Sequence, residues 1–160
     1  MRIVSFIITF IYSVTLFAQE RITLLFVGDL MQHDAQIKSA KTTSGYDYTD
    51  CFKHVKEEIS KADIAVGNLE VTLGGKPYRG YPSFSAPDEF LYAVKDAGFD
   101  VLLTGNNHCL DRGSRGLERT ILMLDSLDIA SAGTYINEEE RNQGDLIKDA
   151  KASRNTAVED

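Results

Sequence analysis

Cysteine, positive charge and long apolar runs are all scarce in this 160-residue chain, and each scarcity narrows what it can do. Lysine and arginine number 17 against 24 acidic residues, a formal charge of −7. A nucleic-acid binder draws most of its affinity from neutralising phosphates, so this balance argues against one. Neither Gly-x-Gly-x-x-Gly nor Gly-x-x-x-x-Gly-Lys-Ser/Thr follows the first strand-like run, which disfavours a dinucleotide or P-loop nucleotide binder. The only two cysteines, Cys51 and Cys109, make no disulfide framework. Export would let them pair, but two thiols alone read more simply as small buried apolar side chains.

The one long apolar run is N-terminal. Arg2 precedes Ile3 to Phe17, 15 residues without charge, and Leu16-Phe17-Ala18 stands before Gln19-Glu20. Residues 1–18 therefore read as a signal peptide cleaved after Ala18, which places the protein in the periplasm or on the cell surface. Leu16 is larger than the residue usual there, so an uncleaved leader is the alternative and the only expected link to a membrane. The run is short for a spanning helix, and no Cys follows it closely enough for a lipid anchor.

The chain as a whole is 43% hydrophobic and 26% charged, the composition of one soluble globular domain. Apolar runs alternate with amphipathic ones, the pattern of βα units around a largely parallel sheet. Strands are expected at Ile22 to Val27, Ile64 to Val66, Val101 to Leu103 and Ile129 to Ala132. Helices are expected at Asp50 to Ala62, capped by Thr49 or Asp50 with Phe52, Val55, Ile59 and Ala62 inward, and after a Ser85 cap with Phe90, Leu91, Val94 and Ala97 inward. The second of these ends at Gly98, and a third runs from Ser114 to Leu127 with Leu117, Ile121, Leu124 and Leu127 inward. Gly74 to Pro82 is a loop broken by Gly and Pro. From Asn137 the pattern fails.

Polar residues cluster where the strands end. Asp29 follows the first, Asn68 and Glu70 the second, and Asn107, His108 and Asp111 the third, with Asp29, Asn68 and Asn107 spaced 39 residues apart. In open α/β sheets ligands gather outside the carboxyl ends of the strands. Carboxylate, amide oxygen and imidazole suit a hard or borderline divalent metal, which lowers the pKa of bound water and polarises phosphoryl or carbonyl oxygens. His108 could then protonate a leaving group. Each residue alone has a plainer reading: Asp29 as a turn cap, Glu70 as a solvated carboxylate, Asn106-Asn107 as a left-handed turn, His108 as structural. The three turns together favour the site. His54, beside Lys53 and Lys56, reads as a solvated face, and His33 is undecided.

Gly28-Asp29-Leu30-Met31, Asp63 to Glu70, Phe84-Ser85-Ala86-Pro87, Gly98-Phe99-Asp100-Val101, Asn106 to Gly113 and Gly133-Thr134-Tyr135 resemble the successive motifs of the CapA family, the poly-γ-glutamate capsule synthesis proteins related to calcineurin-like metallophosphoesterases. The resemblance spans about Ile22 to Glu140, so residues 19–140 are expected to form the N-terminal part of a CapA-like metallophosphoesterase domain. It implies an α/β/β/α sandwich and a dinuclear metal site for Mn, Fe, Zn or Mg. Asp29 would be a first-motif ligand, Glu70 with Asn68 the bridging position, Asn107 the amide ligand, and His108 the acid or phosphate-contacting imidazole. Asp111 is a further candidate for contacting substrate, as are, on their charge alone, Lys76 and Arg79 in the loop after Glu70. Met31 stands where the wider superfamily has a metal-binding His. That superfamily also draws further His ligands from later strands, whereas nothing after His108 is histidine. The resemblance therefore implies only the N-terminal part of the fold, with 141–160 an irregular tail, a truncated or frame-disrupted member, and a half sheet with an exposed edge and an uncovered face.

Two functions follow. One is a metal-dependent hydrolase of a phosphoester or of an amide in a glutamate polymer, incomplete and inactive in this chain alone. The other is a non-enzymatic envelope protein that binds an anionic capsular polymer for export or anchoring, alongside capsule-assembly machinery. The negative net charge would repel such a polymer unless a metal, or Lys76 and Arg79, bridged the two.

Overall fold

The structure, a computed structural model, describes residues 21–143; the leader and nearly all of the tail lie outside them. Four strands, β1 (Leu24–Leu30), β2 (Ile64–Leu69), β3 (Val101–Leu103) and β4 (Ala130–Ala132), form one sheet in the order β1-β2-β3-β4. Every neighbouring pair is parallel. The helices are α1 (Asp34–Ala40), α2 (Lys56–Lys61), α3 (Asp88–Ala97), α4 (Gly113–Asp125) and α5 (Glu138–Gln143). This is the α/β class expected from alternating runs. Among the described residues no helix is long and apolar enough to cross a membrane.

The strand order dictates which face is covered. Each new strand is added on the same side of the last, and crossovers between parallel strands are right-handed, so every connecting helix falls on one face of the sheet. On that face Ala65, Leu69 and Leu102 are buried under Phe90, Leu91, Val94 and Ala97 of α3, Leu124 of α4 and Phe99. On the other face, Leu24 and Phe26 of β1 stay 55% and 67% exposed, and Leu103 of β3 41%. The register places them in line: Phe26 lies opposite Val66, which in turn lies opposite Val101. Among the described residues, then, this face is less covered than the helix-bearing one, and no further strand pairs outside β1.

Two strands run further than their apolar residues indicate. β1 continues through Asp29 to Leu30, with an irregularity between Phe26 and Asp29 that absorbs Gly28, and β2 continues through Asn68 to Leu69. Parallel pairing of Asp29 with Asn68 therefore carries polar residues into the strands themselves. α3 has the expected buried face and ends at Gly98, whose φ of 100° suits glycine.

Three helix expectations need correction. The helix expected from Asp50 begins only at Lys56, because Thr49 is held in a turn by Asp47: its N–H donates to Asp47 Oδ1 at 2.9 Å and its hydroxyl bonds the same oxygen. Val55, expected inward, is 47% exposed. Ser85 does not cap α3, since its hydroxyl donates to Gly75 O at 2.7 Å, and Pro87 precedes the helix instead. α1, with Ile37 its one buried residue, was not expected, because a single inward residue sets no period. The cysteines are also not buried: Cys51 is exposed, Cys109 half-buried, and both thiols are free.

Candidate functional site

Parallel register is what assembles the polar cluster. Asp29 on β1 and Asn68 on β2 are direct partners, and Glu70 follows β2 with its N–H donating to Leu30 O at 3.1 Å. The Asn68 amide then joins both carboxylates. Its Nδ2 donates to Asp29 Oδ1 and to Glu70 Oε2, each at 2.8 Å. The Glu70 carboxyl titrates above its ordinary range, first through partial burial, then through the nearby Asp29 hydrogen bond and charge, with His108 and Asn68 pulling the other way. Two acids are thus held together with little to neutralise them.

The turn after β3 adds a second layer. Asn106 Nδ2 donates to Asn68 Oδ1 at 3.1 Å and to Leu69 O at 2.9 Å, while its Oδ1 accepts the His108 N–H at 3.0 Å. Asn106 therefore fixes the turn that carries His108 against the carboxylates. Asn107, beside it, projects as an exposed residue. Neither asparagine adopts the left-handed conformation, since among the described residues Asp128 alone of the non-glycines has positive φ.

His108 is held from three directions. Its Nδ1 lies 2.8 Å from Asp111 Oδ2, its ring meets the Phe84 ring edge-on at 4.6 Å, and its main chain is tied to Asn106. The same Asp111 oxygen accepts the Phe84 N–H at 2.7 Å, and Ser83 Oγ donates to Asp111 O at 2.7 Å. Asp111, expected to contact substrate, is only 12% exposed and is directed at His108 and Phe84. It orients the imidazole. Nδ1 is engaged with the carboxylate, which leaves Nε2 as the nitrogen available for chemistry.

The Gly74 to Pro82 loop closes over this corner. Gly80 N–H donates to Asp34 Oδ1 at 2.6 Å, Arg112 Nη1 donates to Pro77 O at 3.0 Å, and the peptide bonds before Pro77 and Pro82 are cis. Lys76 and Arg79 are both exposed on it, and among the described residues neither joins an ion pair.

Donor chemistry tests whether a metal fits. Among the described residues no three His, Cys, Asp and Glu side chains gather into a cage. Two adjoining carboxylates do suit a hard ion such as Mg²⁺ or Mn²⁺, which is commonly held by one or two carboxylates and keeps several waters. Asp29 and Glu70 would hold it.

Sequence reasoning missed Asn106 and Asp34. The 39-residue interval pointed to Asn107, and no pattern distinguishes two adjacent asparagines when only one turns back toward the sheet. Asp34 acts through a loop whose course depends on tertiary packing. His54 is exposed, as its lysine neighbours indicate.

Comparison with known proteins now supplies the lineage. Residues 23–157 match the family described as bacterial capsule synthesis protein PGA_cap. The chain is 32% identical over 124 residues to the capsule biosynthesis protein CapA of Bacillus anthracis, covering 74% of this chain and 29% of that one. It is 24% identical over 140 residues to the PGA biosynthesis protein CapA of Bacillus subtilis strain 168, covering 81% and 35%. An uncharacterized protein of Sinorhizobium fredii, y4sH, is 29% identical over 109 residues, covering 62% and 23%. The chain thus spans about a quarter to a third of the length of the curated relatives it matches. By the extent of the family match and its agreement with the relatives named CapA, this chain belongs to the bacterial capsule synthesis protein family.

Proposed function

We propose that this chain serves capsule polymer biosynthesis outside the cytoplasm through metal-assisted hydrolysis of an oxyanionic substrate, either a phosphoester or an amide in a glutamate polymer. The observation that carries the reading is the joining of Asp29 and Glu70 by one Asn68 amide, with the Asp111-oriented His108 on the adjoining turn. Asp29 and Glu70 would hold a divalent ion, with the exposed Asn107 amide positioned on the same edge as a further oxygen donor. Such an ion, when bound, supplies Lewis-acid polarisation and a water of lowered pKa. The chain's own contribution is orientation and proton delivery. Asn68 and Asn106 keep the carboxylates and the His108 turn in register, and Asp111 engages Nδ1 so that Nε2 is the nitrogen left to protonate a leaving group or bind its oxygen.

The test is titration of the full chain with Mn²⁺, followed by electron paramagnetic resonance. Uptake of one or two ions at micromolar concentration is expected, with loss in Asp29→Ala and Glu70→Ala. Absence of uptake at that concentration would sink the reading. Exposed Lys76 and Arg79 favour a second function at the same place, binding of an anionic polymer without hydrolysis. Exchanging both for Glu should then weaken polyglutamate binding about tenfold or more at low salt and far less at high salt. An unchanged affinity would remove the loop from the binding surface.

A further inference from the structure

Phe84 is 1% exposed, yet two imidazoles pack edge-on against it. His108 meets it edge-on with centroids 4.6 Å apart and rings at 82°; His33 meets it edge-on at 5.1 Å and 80°. One buried ring therefore sets the position of two histidines from distant parts of the chain. His33 follows β1, four residues beyond Asp29, and immediately precedes α1. Its main chain is fixed there: the N–H donates to Gln36 Oε1 at 2.6 Å, and its carbonyl accepts from Gln36 N–H at 2.9 Å and Ile37 N–H at 3.1 Å.

The loop packs directly on the same place. A side chain at Gly80 would stand 2.9 Å from His33 Cα and 2.8 Å from Asp34 N, and Gly80 N–H is bonded to Asp34. Phe84 in turn is pinned by Asp111, the residue that orients His108. His33 is exposed, and its side chain accepts the Gln36 N–H in a capping box at the start of α1, which leaves its other ring nitrogen, like His108 Nε2, without a side-chain partner among the described residues. An imidazole with a fixed backbone, a fixed ring edge and one uncommitted nitrogen is preorganised to meet a ligand.

We propose that His33 is a further substrate-contacting residue of this site, paired with His108 across Phe84, and that both imidazoles bind oxygens of one anionic group. The inference rests on the function proposed above and deepens it by naming a second contact for the substrate oxyanion. That oxyanion can come from a phosphoryl group or from a glutamate carboxylate, and either would accept hydrogen bonds from two imidazoles.

The experiment is a ¹H–¹³C NMR titration of the histidine ring Cε1–H signals in the full chain at saturating Mg²⁺. Inorganic phosphate is added in one series and a γ-linked glutamate trimer in another. His33→Asn serves for assignment and as the functional variant, because Asn favours the position before a helix and preserves the α1 start. The His33 and His108 signals are expected to shift on one saturation curve with at least one ligand, and His54 to stay still. The ligand that moves them identifies the source of the oxyanion. His33→Asn should weaken that ligand about five- to tenfold while Mn²⁺ uptake and thermal midpoint stay unchanged. A moving His108 beside a motionless His33 would overturn the pairing and leave the metal-site reading intact. If neither signal moves although metal binds, the pairing is equally overturned. If metal uptake is itself missing, both readings fall together.

Discussion

At the scale of single residues, the site is an arrangement of mutually repelling acids held by amides. Partial burial first, and then Asp29, raise the Glu70 carboxyl above its ordinary value, so folding favours the protonated acid. The stabilising contribution of that group is complete below the ordinary carboxylate range, about pH 4.3, and is lost as pH climbs through the raised value. Asp29→Asn keeps an oxygen for Asn68 to bond but removes the charge. In the presence of chelator the variant should therefore lose less thermal stability than the parent between about pH 4 and 7, and at neutral pH its midpoint should be higher by about 1–3 °C. Metal uptake should fall at the same time. A melting series across that pH window decides, and equal slopes for the two proteins would show that the carboxylates do not interact. These residues were legible in sequence because carboxylates and amides after apolar runs are rare enough to stand out. The role of Asp111 was not, because whether a carboxylate faces substrate or a neighbouring histidine depends on which way one turn closes. The same limit applied to Asn106, whose contact with Asn68 exists only once β2 and the turn after β3 lie side by side.

At the scale of elements, period and propensity located the strands and the two longer helices but not the short pieces that bring the site together. α3 and α4 are 10 and 13 residues long, enough turns for inward positions to repeat. α1 and α2 have only 7 and 6 residues, too few turns for a repeat, and the start of α1 is set by the Gln36 side chain reaching back to the His33 main chain. The loop between β2 and α3 was recognised as irregular, but its course depends on Gly80 meeting α1 without a Cβ. Alanine at Gly80 would press on the backbone of His33 and Asp34, which cannot move aside as a flexible side chain would. Gly80→Ala should destabilise the chain by about 1–3 kcal/mol. It should also detach the loop, measured as faster amide hydrogen exchange at residues 78–82. Unaltered exchange and an unaltered urea midpoint would mean that the loop stays in place without this contact. Arg119 closes the opposite side, bonded to both Asp88 oxygens at 2.8 and 2.7 Å and to Leu73 O, so the start of α3 and the segment leaving β2 share one anchor.

At the scale of the whole molecule, a sheet that grows in one direction with right-handed crossovers must place its helices on one side. The consequence is two faces of opposite character. Leu102 is fully buried on one, while Phe26 and Leu103 stand largely in solvent on the other, although all three are ordinary strand residues. An apolar face next to the open β1 edge is the arrangement that promotes self-association. Thr retains strand preference while giving water a hydroxyl to bond. The double variant Phe26→Thr, Leu103→Thr should therefore remain monomeric at protein concentrations where the parent associates, as read by sedimentation velocity over a dilution series. Because those side chains bury little area within the chain, the urea midpoint should shift by no more than about 0.5 kcal/mol in stability. Leu102→Thr, the same chemical change one residue away on the covered face, should cost about 2–4 kcal/mol, since it leaves a hydroxyl and a void in a packed core. Should the double variant associate as strongly as the parent, that face is not the contact, and the hydrogen-bonding groups of β1 that point away from β2 become the surface to block, with a proline at Leu24, whose neighbour Thr23 makes the bond to Ile64 N–H, as the next substitution.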